Sequence, residues 1–307
     1  MRIAPARVAR AVFPPEEVTQ VKAVACEPPA EGVPLSRRSS ADVHRLVVER
    51  GISAASHSTV VRWLREDAIR PWLYRSWIFP TDPHFAAKAG PVLDLYEGRW
   101  EGKLLHPSDF VICADEKPSI QARARIEATL PPAARIERGQ RVEHTYERRG
   151  ALTYLAAWDV RRGRVFGRSE PKGGIAPFDR LVWQVMTKEP YASARRVFWI
   201  VDNGSSHRGQ RSIDRLQGRW PNLILVHLPT HASWLNQIEI YFSIVQRKVL
   251  TPNDFDSLAA VARRLNEFER LYNEIAEPFG WKFTRTDLDR WLERLAEREA
   301  GQLALAA

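Results

Sequence analysis

Two acidic side chains stand where apolar runs of the sequence stop, and a third follows on a helix. Residues 110–114 are wholly apolar and end at Asp115, and the apolar run 197–201 ends at Asp202. Short apolar runs bounded by polar or turn residues predict buried strands. A later apolar run and a loop lead into a predicted helix that carries Glu239. We expect the three carboxylates to converge near one edge of a sheet, where they would make a metal site.

Carboxylate oxygens in this arrangement suit a hard divalent cation. Mg²⁺ binds carboxylates and keeps several waters, so a few acids can hold two ions without His or Cys. Two ions that bridge a phosphate would activate the attacking oxygen and neutralise the leaving one. Asp115 and Asp202 would be shared or direct ligands, and Glu239 would complete the second ion. Glu116, beside Asp115, should project to the opposite side of the strand.

Each acid also has an ordinary interpretation. A single Asp or Glu is often a solvated surface group or a helix cap. Asp202 is also the type of residue that initiates a turn before Asn203 and Gly204. Only the joint placement of the three acids favours a catalytic role.

Other combinations predict no chemistry of their own. His227 and His231 have the spacing of helical zinc ligands, but Pro229 between them forbids a regular helix. Residues 172–174 lack the rest of a phosphate-binding P-loop, and residues 205–207 lack the frame of a nucleophile elbow. Zinc chemistry and a serine nucleophile are therefore not predicted.

The order of the apolar segments predicts an α/β fold. After the Asp115 strand, residues 151–158 and 164–167 flank a turn, so the first three strands should be antiparallel neighbours. From residue 176 onward helices and strands alternate, which predicts parallel strands joined by helical crossovers and a mixed sheet with helices on both faces. The expected elements are helix 178–187, strand 197–201, helix 207–217, strand 223–228 and helix 235–250, then helices 258–274 and 286–298.

The charge of the chain points to a polyanionic partner. The net charge is +9, and 38 of the 46 basic residues are arginine, whose planar guanidinium group suits phosphate binding. The alternative is that codon composition sets the arginine bias. No apolar run is long enough for a membrane helix, and the N-terminal sequence lacks the pattern of a signal peptide. We therefore expect a cytoplasmic, nucleoid-associated protein with its two cysteines reduced.

A helix-turn-helix pattern lies near the N-terminus. Ser40 could cap a helix that ends at Gly51, and Ser58 could cap a second helix after a short turn. A further short helix is expected from Pro14 to Ala25. The second helix of such a motif fits a major groove, so its outward residues are candidate DNA contacts: Ser58, Thr59, Arg62 and Arg65. The alternative is an ordinary helical hairpin.

A second basic region follows the Asp115 strand. Residues 119–172 contain twelve Arg or Lys against six Asp or Glu. We expect Arg135, Arg138 and Arg141 to track a DNA backbone. The alternative is a solvated basic face.

Four segments carry a family resemblance: 111–122 (VICADEKPSIQA), 144–160 (HTYERRGALTYLAAWDV), 197–209 (VFWIVDNGSSHRG) and 227–250 (HLPTHASWLNQIEIYFSIVQRKVL). They resemble the DDE-superfamily transposases of bacterial insertion sequences, in the branch related to Tc and mariner elements. The 36 residues between Asp202 and Glu239 are close to the short spacing of that branch. The resemblance implies a ribonuclease-H-like fold, the catalytic triad Asp115, Asp202 and Glu239, and two Mg²⁺ or Mn²⁺ ions.

The resemblance also implies a reaction. Such enzymes cleave DNA at the ends of their element, and the freed 3′-hydroxyl then attacks target DNA, typically at TA. The expected partners are double-stranded DNA, as inverted-repeat ends and as target, and a second copy of the chain when assembled on DNA. Two alternatives stay open: a catalytically silent DNA-binding remnant or regulator, and a nuclease without strand transfer.

The expected domains are a helix-turn-helix region (1–75), a linker (76–106), the catalytic domain (107–255) and C-terminal helices packed on it (256–307). Transposases of this kind usually carry two helix-turn-helix modules, whereas one is clear here. Either the first module is reduced to the helix of residues 14–25, or the chain begins late.

Overall fold

The computed structural model describes residues 13–73, 80–127, 129–132 and 139–306, with side chains up to residue 298. The chain divides into two compact units between Phe79 and Pro80. Each unit is built on its own apolar core.

The first unit is a three-helix module. Its helices are α1 (Pro15–Cys26), α2 (Ser40–Glu49) and α3 (His57–Glu66). All three contribute to one core, in which the fully buried side chains are Val21, Val43, Val47, Val60 and Leu64. The predicted helix near Pro14 is therefore confirmed, and it packs with the two helices of the helix-turn-helix pattern.

The helix caps lie earlier than the sequence pattern indicated. Ser39, not Ser40, caps α2, because its hydroxyl accepts from the backbone N–H of Asp42 while the Asp42 carboxylate accepts from the backbone of Ser39. Ser56, not Ser58, caps α3. A serine three residues before the receiving N–H has the reach to cap it, whereas Ser58 already lies in the first helical turn.

A buried arginine closes the C-terminal end of α1. Arg38 is only 7% exposed, and its guanidinium donates to the carbonyls of Val24, Glu27 and Pro28 at 2.9, 3.1 and 3.0 Å. The carbonyls of Glu27 and Pro28 lie beyond the last turn of α1, and a cation also suits the negative end of the helix dipole.

We predict that Arg38→Met lowers the free energy of unfolding by about 3 kcal/mol, since it leaves buried carbonyls unpaired. The matched control is Arg62→Met, because Arg62 is exposed on α3; it should change stability by less than about 0.5 kcal/mol. Denaturant unfolding followed by circular dichroism measures both. Equal losses for the two variants would contradict the capping role of Arg38.

The second unit contains a five-stranded mixed sheet. Its strands are β3 (Asp109–Arg125), β4 (Tyr146–Asp159), β5 (Arg164–Glu170), β6 (Arg196–Val201) and β7 (Leu223–His227), and a separate hairpin pairs β1 (Arg99–Trp100) with β2 (Lys103–Leu104). The order in the sheet is β5-β4-β3-β6-β7. Strands β3, β4 and β5 are antiparallel, whereas β6 and β7 run parallel to β3. The predicted mixed sheet is confirmed.

Helices cover both faces of this sheet. They are α4 (Phe85–Tyr96), α5 (Ile175–Met186), α6 (Gln210–Arg219), α7 (Ile238–Lys248), α8 (Leu258–Ile275) and α9 (Arg285–Ala306), and a 3₁₀ turn spans Ser233–Leu235. Val111 and Cys113 of β3 share a core with α4, α7 and α8. Ile112 and Ala114 share the opposite core with α5 and α6. Because side chains alternate along a strand, Asp115 continues the α7 face.

Two elements differ from the sequence prediction. Strand β3 does not end at Asp115 but continues to Arg125, because its later half pairs with β4 as far as Tyr146. The sequence predicts one helix between Pro91 and Trp100, whereas α4 begins at Phe85 and contains Pro91. Burial of its apolar side chains against the sheet core, Leu93 among them, outweighs the hydrogen bond that the proline removes.

No helix in the described part of the chain is both long and apolar enough to cross a membrane.

Candidate active site

The site begins where β3 and β6 separate. Their parallel pairing stops at Cys113 and Ile200, and Asp115 and Asp202 each lie two residues further on. Both follow residues of the core shared with α7, so both carboxylates belong to that face. The divergence of the two strands leaves a gap in which these carboxylates are only partly buried.

The third acid is brought to this gap by the start of α7. Glu239 is the second residue of the helix. The buried Asn236 side chain just before it donates to the carbonyl of Ala114 at 3.1 Å, and its Oδ1 accepts from the N–H of Ile238 at 3.4 Å. The residue next to Asp115 is thereby joined directly to the turn that starts the helix of Glu239.

A tyrosine of α4 anchors the same turn. The Tyr96 hydroxyl donates to the carbonyl of Leu235 at 2.7 Å and lies 3.2 Å from Cys113 Sγ. Burial raises the pKa of the Cys113 thiol to about 12. Cys113 is thus an uncharged packing residue beneath the acids.

The charges of the three acids act on one another. Burial, with the charges of Asp202 and Glu239 acting in the same direction, raises the pKa of Asp115 to about 7. Burial also raises the pKa of Glu239, where the charge of Asp202 adds to the rise and Lys117 opposes it. The structure therefore brings the three sequence-predicted acids close enough to repel one another.

Asp202 is held by a histidine that sequence reasoning did not assign. His207 is 2% exposed, and its Nε2 is hydrogen-bonded to Asp202 Oδ1. This bond lowers the pKa of Asp202, helped by the Gly204 N–H, which donates to the same oxygen at 2.7 Å. The residues after Asp202 do form a turn, but one that returns His207 to the carboxylate.

A second histidine completes this support. His227, at the end of β7, is hydrogen-bonded through Nε2 to the carbonyl of His207 at 2.7 Å, and Ser206 Oγ lies 3.0 Å from His207 Nδ1. The spacing of Asp202, Gly204 and His207 around a turn was the available sequence signal. This signal was not recognised, because residues 205–207 were considered only as a possible nucleophile motif.

The free oxygens of the site fit a divalent cation. Asp115 Oδ1 accepts from the Glu116 N–H at 2.7 Å, and Asp202 Oδ1 is similarly occupied. Within the described residues, Oδ2 of both aspartates and the Glu239 carboxylate make no hydrogen bond. Three carboxylates that repel one another, and whose remaining oxygens accept no hydrogen bond from the described residues, are the kind of ligands that Mg²⁺ and Mn²⁺ prefer.

Among the described side chains, no three His, Cys, Asp or Glu are placed to surround one metal ion.

Glu116 faces the other way, as expected. Among the described residues, one of its carboxylate oxygens is buried without a hydrogen-bond partner. This oxygen lies against Gly173, where an added Cβ would require the Glu116 side chain to move. Glu116 is therefore apart from the three acids, against the loop that leads into α5.

The described candidate DNA contacts belong to segments other than β3, β6 and α7, which bring the three acids. Ser58, Arg62 and Arg65 are exposed on α3 and Thr59 is half-buried, while Val60 and Leu64 point into the core of the first unit. Arg141 is exposed and its backbone pairs with Leu130 at 3.0 and 3.1 Å. Arg135 and Arg138 lie outside the described residues.

The sheet order, the mixed strand directions and the helices on both faces define a ribonuclease-H-like fold. Residues 111–262 match the family model described as DDE superfamily endonuclease. This segment contains Asp115, Asp202 and Glu239. The predicted fold and the DDE superfamily resemblance of this segment are thus confirmed, whereas its assignment to bacterial insertion sequences stays a prediction.

Solved structures with a similar fold are complexes of a mariner transposase. The mariner Mos1 paired end complex with Mg is 16% identical, with a TM-score of 0.50 over 89% of this chain and 82% of that one. The Mos1 paired end complex with Mn is also 16% identical, with a TM-score of 0.49 over 81% and 77%. No curated protein matches the chain. At this identity the likeness shows the fold alone.

We predict that Asp115→Asn stabilises the metal-free protein above pH 7. The folded pKa of about 7 lies above the ordinary 3.8, so the contribution of Asp115 to stability is complete below about pH 4 and is lost as pH rises through 7. The variant cannot ionise at this position, so at pH 8 in EDTA it should be more stable by roughly 2–4 kcal/mol.

Thermal unfolding at pH 5 and pH 8 measures this difference, with Asp289→Asn as the control at an exposed aspartate. Adding Mg²⁺ should stabilise the wild type and leave Asp115→Asn nearly unchanged. An Asp115→Asn protein that is no more stable than wild type in EDTA at pH 8 would contradict the repulsion described above.

Proposed function

We propose that this protein is a DNA transposase that cleaves the ends of a mobile element and joins the freed 3′-hydroxyl to target DNA. The observation that carries the proposal is the meeting of Asp115, Asp202 and Glu239 at one gap of a ribonuclease-H-like sheet, inside the segment that matches the DDE superfamily endonucleases. In that assignment the three acids form the catalytic triad.

The proposed cofactor is a pair of Mg²⁺ or Mn²⁺ ions. Asp115 and Asp202 would hold ions through their open Oδ2 atoms, and Glu239 would complete the second position. When bound, such ions activate an attacking oxygen and stabilise the charge that develops on the leaving oxygen.

The remaining chemistry belongs to the side chains around the acids. His207 holds one oxygen of Asp202, so the other oxygen keeps a fixed direction. Asn236 fixes the distance between β3 and the first turn of α7, which positions Glu239 relative to Asp115. Both effects set the geometry in advance, which is how positioning lowers the barrier of phosphoryl transfer.

The proposed partner is double-stranded DNA, both as element ends and as target. The net charge of +9 supports a polyanionic partner. The exposed face of α3, with Arg62 and Arg65, is the proposed source of sequence preference. The mariner structure of similar fold is described as a paired end complex, which supports a homodimer assembled on two DNA ends.

We predict that Glu239→Gln folds and binds DNA but loses cleavage by about 100-fold or more, because a ligand of the second ion is lost. The control is Glu267→Gln, an exposed glutamate of α8, which should cleave like the wild type. The substrate is a supercoiled plasmid that carries the DNA flanking the coding region, incubated with Mg²⁺ or Mn²⁺.

A folded Glu239→Gln protein that still cleaves would overturn the triad. A wild-type chain that binds this DNA and never cuts it would instead favour the catalytically silent remnant. Cleavage without joining of the 3′-ends to a target plasmid would favour a nuclease without strand transfer.

A further inference from the structure

A polar trough runs along the surface from Glu239, between β3 and α7. Its first part has a volume of about 220 Å³ and is lined by Lys117, Glu239, Phe242, Ser243, Gln246 and Arg247. The second part, of about 230 Å³, is lined by residues 117–121, Arg123, Gln246, Leu250 and Asn253. Lys117 and Gln246 line both parts, so the two form one continuous depression.

A bulge in β3 shapes the floor of this trough. The pairing with β4 shifts register between Lys117 and Ile120, and Ser119 has a φ of +58°. A left-handed serine costs on the order of 1 kcal/mol and persists only when its surroundings hold it. Beyond the bulge, Asn253 holds the strand, since it donates to the Gln121 carbonyl at 2.8 Å and accepts from the Arg123 N–H at 3.1 Å.

Bulges of this kind re-aim side chains next to active sites. Here the bulge follows Asp115 by two residues, and Lys117 stands at its edge. The strained backbone therefore presents a cation between the carboxylates and the rest of the trough.

The lining is basic and hydrogen-bonding. Lys117, Arg123 and Arg247 are its cations, and Glu239 is the one acid among the lining residues. Within the described residues, Lys117 and Arg247 make no hydrogen bond or ion pair. Arg123 is already oriented, by Gln121 Oε1 at 3.1 Å and by the Tyr146 ring at 4.7 Å.

Cations that make no hydrogen bond or ion pair within the described residues, beside amide and hydroxyl groups, form a surface for phosphate. We propose that the trough receives the phosphodiester backbone of the DNA strand that enters the catalytic site, with Lys117 and Arg247 as the residues that bind the phosphates next to the scissile one. This proposal rests on the proposed function and adds the path of the substrate strand.

Two neighbouring residues of α7 provide a matched pair for the test. Arg247 lines the trough and Lys248 does not, although both are exposed and lie in the last turn of the helix. Arg247→Met and Lys248→Met therefore remove the same charge from the same helix end, with the same effect on the helix dipole.

The measurement is the salt dependence of binding between the full chain and a fluorescein-labelled DNA duplex, in EDTA so that cleavage does not occur. Each lost phosphate contact should reduce the slope of log K against log[salt] by roughly 0.9. We expect this reduction for Arg247→Met and for Lys117→Met, with the wild-type slope for Lys248→Met. Lys117→Arg should restore the slope, because it returns a cation to the bulge.

Equal slopes for Arg247→Met and Lys248→Met would contradict the proposal that the trough binds the phosphodiester backbone. Should Lys117→Met fail to fold, the exposed pair on α7 still decides the question. The catalytic proposal is tested separately by plasmid cleavage. If the wild type binds DNA with these slopes but never cleaves it, the phosphate-binding role of the trough is supported and the catalytic proposal is contradicted.

Discussion

Three negative charges are held together at the point where two parallel strands part, and much of the second unit serves to keep them there. Burial of Asp115, together with the charges of Asp202 and Glu239, raises its pKa to about 7. A shift from 3.8 to about 7 corresponds to roughly 4 kcal/mol at neutral pH. This combined cost of burial and repulsion is tolerated where the surrounding fold is rigid, and a bound cation would offset it.

The rigidity comes from the cores on both sides of the sheet. Trp158 packs on the α7 face and Trp199 on the α5 face, and both are fully buried. Burial of large side chains contributes about 1.5–3 kcal/mol each, so these layers together offset a local electrostatic cost. Specific hydrogen bonds then set the distances, with Asn236 linking β3 to α7 and His207 fixing Asp202.

Much of this arrangement could be predicted from the sequence, because an apolar run that ends in an acid indicates both a buried strand and an acid at the end of that strand. Asp202 lies where that pattern placed it. Asp115 lies inside a longer strand, since pairing of β3 with β4 continues after its pairing with β6 has stopped. No local sequence pattern indicates where a strand loses one of its two neighbouring strands. The hydrogen bond between His207 and Asp202 was not predicted either. It depends on the backbone geometry of the turn that brings His207 back to the carboxylate, which the sequence alone does not indicate.

The most direct test of the central claim is to map the metal site without DNA. Fe²⁺ can replace Mg²⁺ at carboxylate sites; with hydrogen peroxide as the oxidant, and ascorbate to return Fe³⁺ to Fe²⁺, it cleaves the polypeptide close to the bound ion. We predict new chain ends near Asp115, Asp202 and Glu239, suppressed by excess Mg²⁺ and absent from Asp115→Asn. Cleavage confined to other parts of the chain would contradict a metal centre formed by these three acids.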